Sequence, residues 1–193
     1  MRSDRGEASG EVESQLIRQI AGGDRGAFES LYQTYQNRLF HYLYSMVHAI
    51  ETAEELTNDV MLEVWKGASR FRGQSKPSTW LFGIAHHKAL NELRRRRTPT
   101  ESLHVLAGVA DPSMGPEGAA LRESVRSALG KALARLSHEH REVVELTFYH
   151  QFNYGEIAAI VGCPANTVKT RMFYAKQQLR RLLAGRGMGS EPA

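Results

Sequence analysis

Apolar residues recur along this chain at steps of three and four. Phe28, Leu31, Tyr32, Tyr35, Leu39, Tyr42, Leu43 and Met46 make one continuous stripe, the pattern of a helix that buries one face. Leu16, Ile17 and Ile20 predict a shorter helix before it, stopped by Gly22-Gly23, and Asp24 can cap the long one. Leu56, Val60 and Val64 give the buried face of a third helix, about 52–68. A fourth starts after Pro77-Ser78, with Ser78 or Thr79 as its cap, and carries Trp80, Leu81, Ile84, Leu90 and Leu93. Further on, Val125, Leu129, Leu133 and Leu136 predict a helix. Ser137 can cap the next, through Val143, Val144 and Leu146. Asn153 and Glu156 have capping-box spacing and open a short helix with Ile157, Ile160 and Val161. Gly162-Cys163-Pro164 breaks it. A last helix starts near Ala165 with Val168, Met172, Ala175, Leu179 and Leu182 inward. No segment shows the alternation of a strand. The fold class is therefore all-α.

Two stretches interrupt the pattern. Residues 1–13 are polar and read as a disordered tail. Thr98 to Gly118 holds three prolines and three glycines and reads as a flexible linker. The organisation that follows is a first helical domain over 14–97, a linker over 98–120, a second helical domain over 121–184 and a disordered tail over 185–193.

The chain has 193 residues, 41% hydrophobic and 24% charged, enough for one ordinary domain or two small ones. No apolar run approaches the roughly eighteen residues of a membrane span. The polar start has no secretory core, which points to the cytoplasm. The single cysteine, Cys163, excludes a disulfide framework and a cysteine-based zinc site within the chain. His86-His87 and His138-x-His140 diverge too far on a helix to chelate well. There is no phosphate loop, nucleophile–base pair or catalytic carboxylate pair, so the sequence predicts neither an enzyme nor a cofactor.

Charge changes the picture more than composition does. The net charge is +4, but the signs are sorted. Residues 51–63 hold five acids and no base, and residues 66–97 hold nine bases and one acid. Residues 98–121 hold three acids and no base, and residues 122–184 hold ten bases and five acids. Glu51, Glu55, Asp59 and Glu63 climb one helix edge at four-residue steps, where like charges repel. A cationic partner would relieve that repulsion. In the last helix, Thr167, Thr170, Arg171 and Tyr174 fall opposite the apolar stripe, flanked by Lys169 and Phe173. A short capped helix, a glycine turn and a longer basic helix make a helix-turn-helix, with side chains suited to base edges and phosphates. The amides near Ala165 and Asn166 can hold a backbone phosphate. Phe71 to Arg97 combines Trp80 with Arg72, Lys76 and Arg94 to Arg97, the mixture of aromatics and cations that binds single-stranded DNA.

These motifs resemble those of the bacterial sigma-70 family, in its extracytoplasmic-function branch. AFESLYQTYQNRLFHYLY is similar to the start of that family's region two, and AEELTNDVMLEVWKGASRF to its core-polymerase-binding helix. FRGQSKPSTWLFGIAHHKALNELRRRR resembles its promoter-melting segment, about 71–97. LSHEHREVVELTFYHQFNYGEIAAIVGCPANTVKTRMFYAKQQLRRLL resembles region four, with its helix-turn-helix at about 153–183. The resemblance covers about 24–97 and 121–183 in the family's order. It implies two helical domains, sigma regions two and four. It implies polymerase-core contacts, on the clamp of the largest subunits, by Glu55, Leu56, Asp59, Val60, Leu62, Glu63 and Trp65. It implies minus-10 contacts by Arg72, Ser75, Lys76, Trp80, His86, His87, Asn91, Arg94 and Arg95. Minus-35 contacts fall to Thr167, Lys169, Thr170, Arg171, Phe173 and Tyr174. The implied partners are RNA polymerase core, promoter DNA and an anti-sigma factor, with no membrane insertion and no cofactor. The family's usual residues are replaced at His87, Asn91, Asn166 and Tyr174, so the resemblance does not extend to a promoter sequence. A helix-turn-helix regulator acting without polymerase is the alternative. It accounts for Asn153 to Leu183 but leaves the acidic helix and the Phe71 segment without a role.

Overall fold

Asp24 starts the longest helix of the first half by accepting from the amides of Gly26 and Ala27, at 2.8 and 3.1 Å. That helix, α2 (Arg25–Val47), ends at His48 in the left-handed region. The computed structural model describes residues 3–96 and 127–184. Around α2 pack α1 (Ser3–Ala21), α3 (Ile50–Gly67) and α4 (Pro77–Arg96), with a short 3-10 turn, Ala68–Arg70, after α3. The second half comprises α5 (helical over 127–134), α6 (His138–Phe148), α7 (Tyr154–Val161) and α8 (Ala165–Ala184). No strand occurs among the described residues.

Local chemistry sets most boundaries where the sequence puts them. Ser137 accepts from the amide of His140, and Asn153 and Glu156 form a reciprocal capping box. Gly162 closes α7 with φ of 65°, a conformation that favours glycine. Three boundaries differ. The chain is helical from Ser3, where a tail through residue 13 is expected. The sequence there carries no apolar stripe, and Val12 is exposed, so periodicity gave no signal. At α4 neither Ser78 nor Thr79 is the cap. Pro77 takes the first helical position, whose missing N–H costs nothing, and the Trp80 amide bonds to the Lys76 carbonyl. Leu129 is exposed, and Leu136 lies past the end of α5, buried. The expected linker, 98–120, and tail, 185–193, lie outside the described residues.

The core of the first half centres on Leu31, Tyr35, Leu39, Tyr42, Leu43, Val60, Val64, Leu81 and Phe82, all fully buried. That of the second half centres on Val143, Leu146, Ile157, Ile160, Val168 and Met172. The two are continuous, because α4 packs on α7 and α2 on α6. At this seam Phe82 meets Phe152 with ring centres 4.9 Å apart and His150 at 4.7 Å. Glu142 of α6 lies 2% exposed. One of its oxygens accepts from the Tyr42 hydroxyl at 2.6 Å and lies 2.6 Å from His86 Nδ1. Burial, then the Glu142 charge, holds the Tyr42 hydroxyl well above the usual phenol range.

The basic end of α4 is partly structural. Glu92 is buried and accepts from Arg95 and Arg96. Burial alone would raise its carboxyl, but those two guanidiniums together bring it below its ordinary value. Arg96 also donates to the Val47 carbonyl at 3.2 Å and to the Thr52 hydroxyl, tying α4 to α2 and α3. Arg96→Ala would leave the Glu92 carboxylate short of partners and is expected to cost about 2 kcal/mol. Arg95→Ala, at an exposed side chain, should stay within about 0.5 kcal/mol. Urea unfolding of the two variants measures the difference.

His150 gives the seam a pH dependence. Its side chain is enclosed by the rings of Tyr42, Phe82, Tyr149 and Phe152. Among the described residues neither ring nitrogen has a hydrogen-bond partner, and Glu145, at 3.9 Å, is too far for one. Burial, then the charge of Arg38 and the nearby His41, lowers its pKa to about 3. The unfolded chain would protonate it near pH 6.5. Its contribution is therefore intact above that pH and is lost as pH falls toward 3. Glu145, raised to about 7 chiefly by burial, acts in the opposite sense as pH rises from its ordinary range. His150→Phe keeps the packing and removes only the histidine's penalty. Relative to the parent, the variant is expected to gain about 2 kcal/mol between pH 8 and pH 5, read from unfolding curves at the two values.

Candidate nucleic-acid and polymerase interface

The polymerase-facing residues suggested by the sequence lie on α3. Glu55, Asp59, Leu62 and Glu63 are exposed along one edge, Leu62 at 49%. Leu56 and Val60 point into the core, and Trp65 packs edge-on to Phe28 at 5.2 Å. These three support the edge and do not form it. Lys88 of α4 reaches Glu63 at 3.1 Å and Asp59 at 3.8 Å. It relieves, within the chain, part of the repulsion that the acidic spacing sets up. Beside this edge a groove of about 430 Å³ runs between α2 and α3, lined by Tyr32, Gln36, Asn37, Phe40 and Asn58 among others.

The nine suggested minus-10 residues divide. Arg72, Ser75 and Lys76 lie exposed on the loop ahead of α4, where Gly73 takes φ of 69°. Trp80, His87, Asn91 and Arg94 recur at seven, four and three residues and share one face of α4. His87, Asn91 and Arg94 are exposed, whereas Trp80 is half-buried, its ring tilted against Phe71 with centres 4.9 Å apart and lying against Gly67. Arg95 is exposed beside that face and bridges to Glu92. His86 stands apart, 5% exposed and committed to Glu142. Lys76 also crosses the seam, to Glu156 of α7 at 2.8 Å.

On α8, Val168, Met172 and Ala175 are buried. The outer face carries Thr167, Lys169, Thr170, Arg171, Phe173 and Tyr174. No acid occurs in α8. Thr170 Oγ1 donates to the Asn166 carbonyl at 3.0 Å. Phe173 and Tyr174 are among the most exposed large side chains of the molecule, and Tyr174 stacks on His140. This is a cationic, aromatic-bearing helix packed on α6 and α7, the second helix of a helix-turn-helix.

Sequence reasoning missed the seam. Arg38, Tyr42, Glu142 and His150 carry it, and none stood out from the surrounding helices. The one available signal was the set of polar residues at apolar positions: Tyr42 lies on the α2 stripe and Glu142 next to Val143. Among the described residues no cluster of histidine, cysteine or carboxylate could hold a metal. No helix among them is long and apolar enough to cross a membrane.

The comparisons with known proteins cover both halves. Residues 31–98 match Sigma-70 region 2 and residues 132–181 match Sigma-70, region 4. The RNA polymerase sigma factor YlaC of Bacillus subtilis is 30% identical over 81% of this chain and 92% of its own length. The ECF RNA polymerase sigma factor RpoE of Cereibacter sphaeroides is 30% identical over 82% of this chain and 87% of its own. In solved structures, the fold is similar to that of the sigma factor RpoE of Bartonella quintana in complex with the anti-sigma factor NepR. The TM-score is 0.67 and the identity 24%, over 81% of this chain and 96% of that one. Two matched regions in order, with relatives aligned over most of their length, place this chain in the extracytoplasmic-function branch of the sigma-70 RNA polymerase sigma factors.

Proposed function

We propose that the chain joins RNA polymerase core through the α3 edge and reads promoter DNA with α4 and α8. Promoter-specific initiation is the activity of the family to which it belongs. The observation that carries the residue-level reading is the face of Trp80, His87, Asn91 and Arg94 on α4, paired with an acid-free outer face on α8. Catalysis belongs to the polymerase, so the chain acts as a specificity subunit in the cytoplasm and not as an enzyme. Each half binds weakly alone, and tethering raises the effective concentration of the second contact once the first is made. An anti-sigma factor is part of the same reading, as in the similar structure from Bartonella quintana.

His86 and Lys76 add a condition. With the halves apposed, one is covered by Glu142 and the other bridged to Glu156. His86 becomes available to a DNA strand only when the halves part, whereas the exposed Lys76 can be drawn from Glu156 by a polyanion.

The first experiment mixes the full chain with sigma-free core polymerase and fragmented genomic DNA from its own source and maps transcript starts. Discrete starts that require the protein are expected. Stable footprints by the free protein, with no core binding, would instead leave a helix-turn-helix regulator as the better account. At a promoter so found, Arg171→Ala is expected to lower initiation about tenfold and to relax the sequence requirement at one upstream position. Lys169→Ala should weaken binding evenly across sequences and flatten its salt dependence by about one unit of slope.

A further inference from the structure

The seam contains a cavity of about 510 Å³, and of its lining residues only Arg94, on the α4 face, has been given another functional role. Its walls come from both halves. Met46, Leu90 and Leu93 supply an apolar floor, and Arg94, Arg96 and Arg141 supply guanidiniums. His138 and Glu139, the first two residues of α6, bring the positive end of that helix to the rim.

The charges here are unevenly matched. Arg96 is occupied by Glu92. Arg94 has no acidic partner among the described residues, and Arg141 donates to His48 Nε2 and not to a carboxylate. Glu139 is drawn to its own backbone N–H and to Ser137. The cavity's cations are therefore the three arginines; burial, then Arg141 and His138, lowers His48 to about 4, so it adds no charge at neutral pH. His138, lowered chiefly by its burial, keeps Nε2 shut off from solvent with no hydrogen-bond partner among the described residues. An oxygen-rich anion in the cavity would pair with the Arg94 guanidinium and with the N–H groups of Arg141 that His48 does not take.

We infer that this cavity binds a phosphate-bearing small molecule of nucleotide size, and that its occupancy holds the two halves together. Planar guanidiniums suit the several oxygens of a phosphate. The apolar floor suits a ring attached to it, and the volume lies within the range of roughly 300–1,000 Å³ usual for ligand sites. Because Arg94 and Arg141 sit on different halves, the ligand binds only the apposed state and shifts the population toward it. That state keeps His86 covered, so the ligand would restrain promoter use. This consequence rests on the sigma-factor reading; the binding does not.

The test is calorimetric titration of the full chain with pyrophosphate and with GDP. One-to-one saturation with a Kd below about 1 mM is expected, tighter for GDP. Arg141→Gln and Arg94→Gln should each weaken it by about tenfold or more, while Arg95→Gln, outside the cavity, should change it by less than about twofold. Arg94 is exposed, so its replacement tests the site even if the Arg141 variant folds poorly. No heat up to about 10 mM, or equal weakening in all three variants, would overturn the site, the latter by revealing general attraction to a cationic helix. In the start-mapping reaction, saturating GDP should lower yield several-fold for the parent and leave Arg141→Gln unaffected. Starts without binding would remove this inference alone; binding without starts would remove the sigma-factor reading alone.

Discussion

The carboxylate of Glu142 is taken out of water on α6, and both groups that compensate it, the Tyr42 hydroxyl and the His86 imidazole, belong to the other half of the molecule. A buried charge without partners is among the most costly features a fold can carry. The second half therefore packs on the first in the one register that brings all three groups together. The rings of Phe82, His150 and Phe152 fill the space around that contact. A purely apolar seam would tolerate sliding and would resist separation, because its whole area becomes exposed when it opens. This seam is mixed: parted, Glu142, Tyr42 and His86 find water, while Phe82 and Phe152 lose apolar cover. Specific apposition and reversible separation come from the same residues.

Electrostatics extend the argument beyond the seam. The sorted charge of the sequence is not left for partners alone to resolve. Lys88 crosses from the basic helix to the acidic edge, and Lys76 crosses to Glu156. Arg96 turns inward to Glu92 while Arg94 stays exposed. Each such contact ties up a cation that DNA could use, or softens an acidic edge that polymerase could use. Exposed pairs of this kind are weak, so a large polyanion or a charged protein surface can displace them.

Much of this was legible in the sequence. The apolar stripes located α2, α3, α6, α7 and α8, and Asp24, Ser137, Asn153 and Gly162 fixed their ends through chemistry local to each residue. The outer faces of α3 and α8 followed from period alone. The start of α1 was not legible, since its residues carry no apolar stripe in the sequence. The seam was not legible either, because it depends on pairs more than forty positions apart in sequence. Tyr42 and His86 look like ordinary helix residues until Glu142 is placed against them. For the same reason His86 and His87 looked equivalent as neighbours in the basic segment.

Those two histidines show how one helix serves three surfaces. Adjacent residues on a helix point about 100° apart. Leu81, Phe82, Ala85 and Ala89 take the direction of the core. His86 takes that of the seam. His87 falls with Asn91 and Arg94 on the direction left to solvent. Apposition of the halves therefore does not blank α4 as a whole: it covers His86 and leaves the His87 face open. A DNA strand meeting the apposed molecule could engage that face first, and the full surface only after Glu142 has given up His86. If His86 belongs to the DNA surface as proposed, opening of the seam and completion of that surface are the same event, because one imidazole cannot satisfy a buried carboxylate and a nucleotide at once.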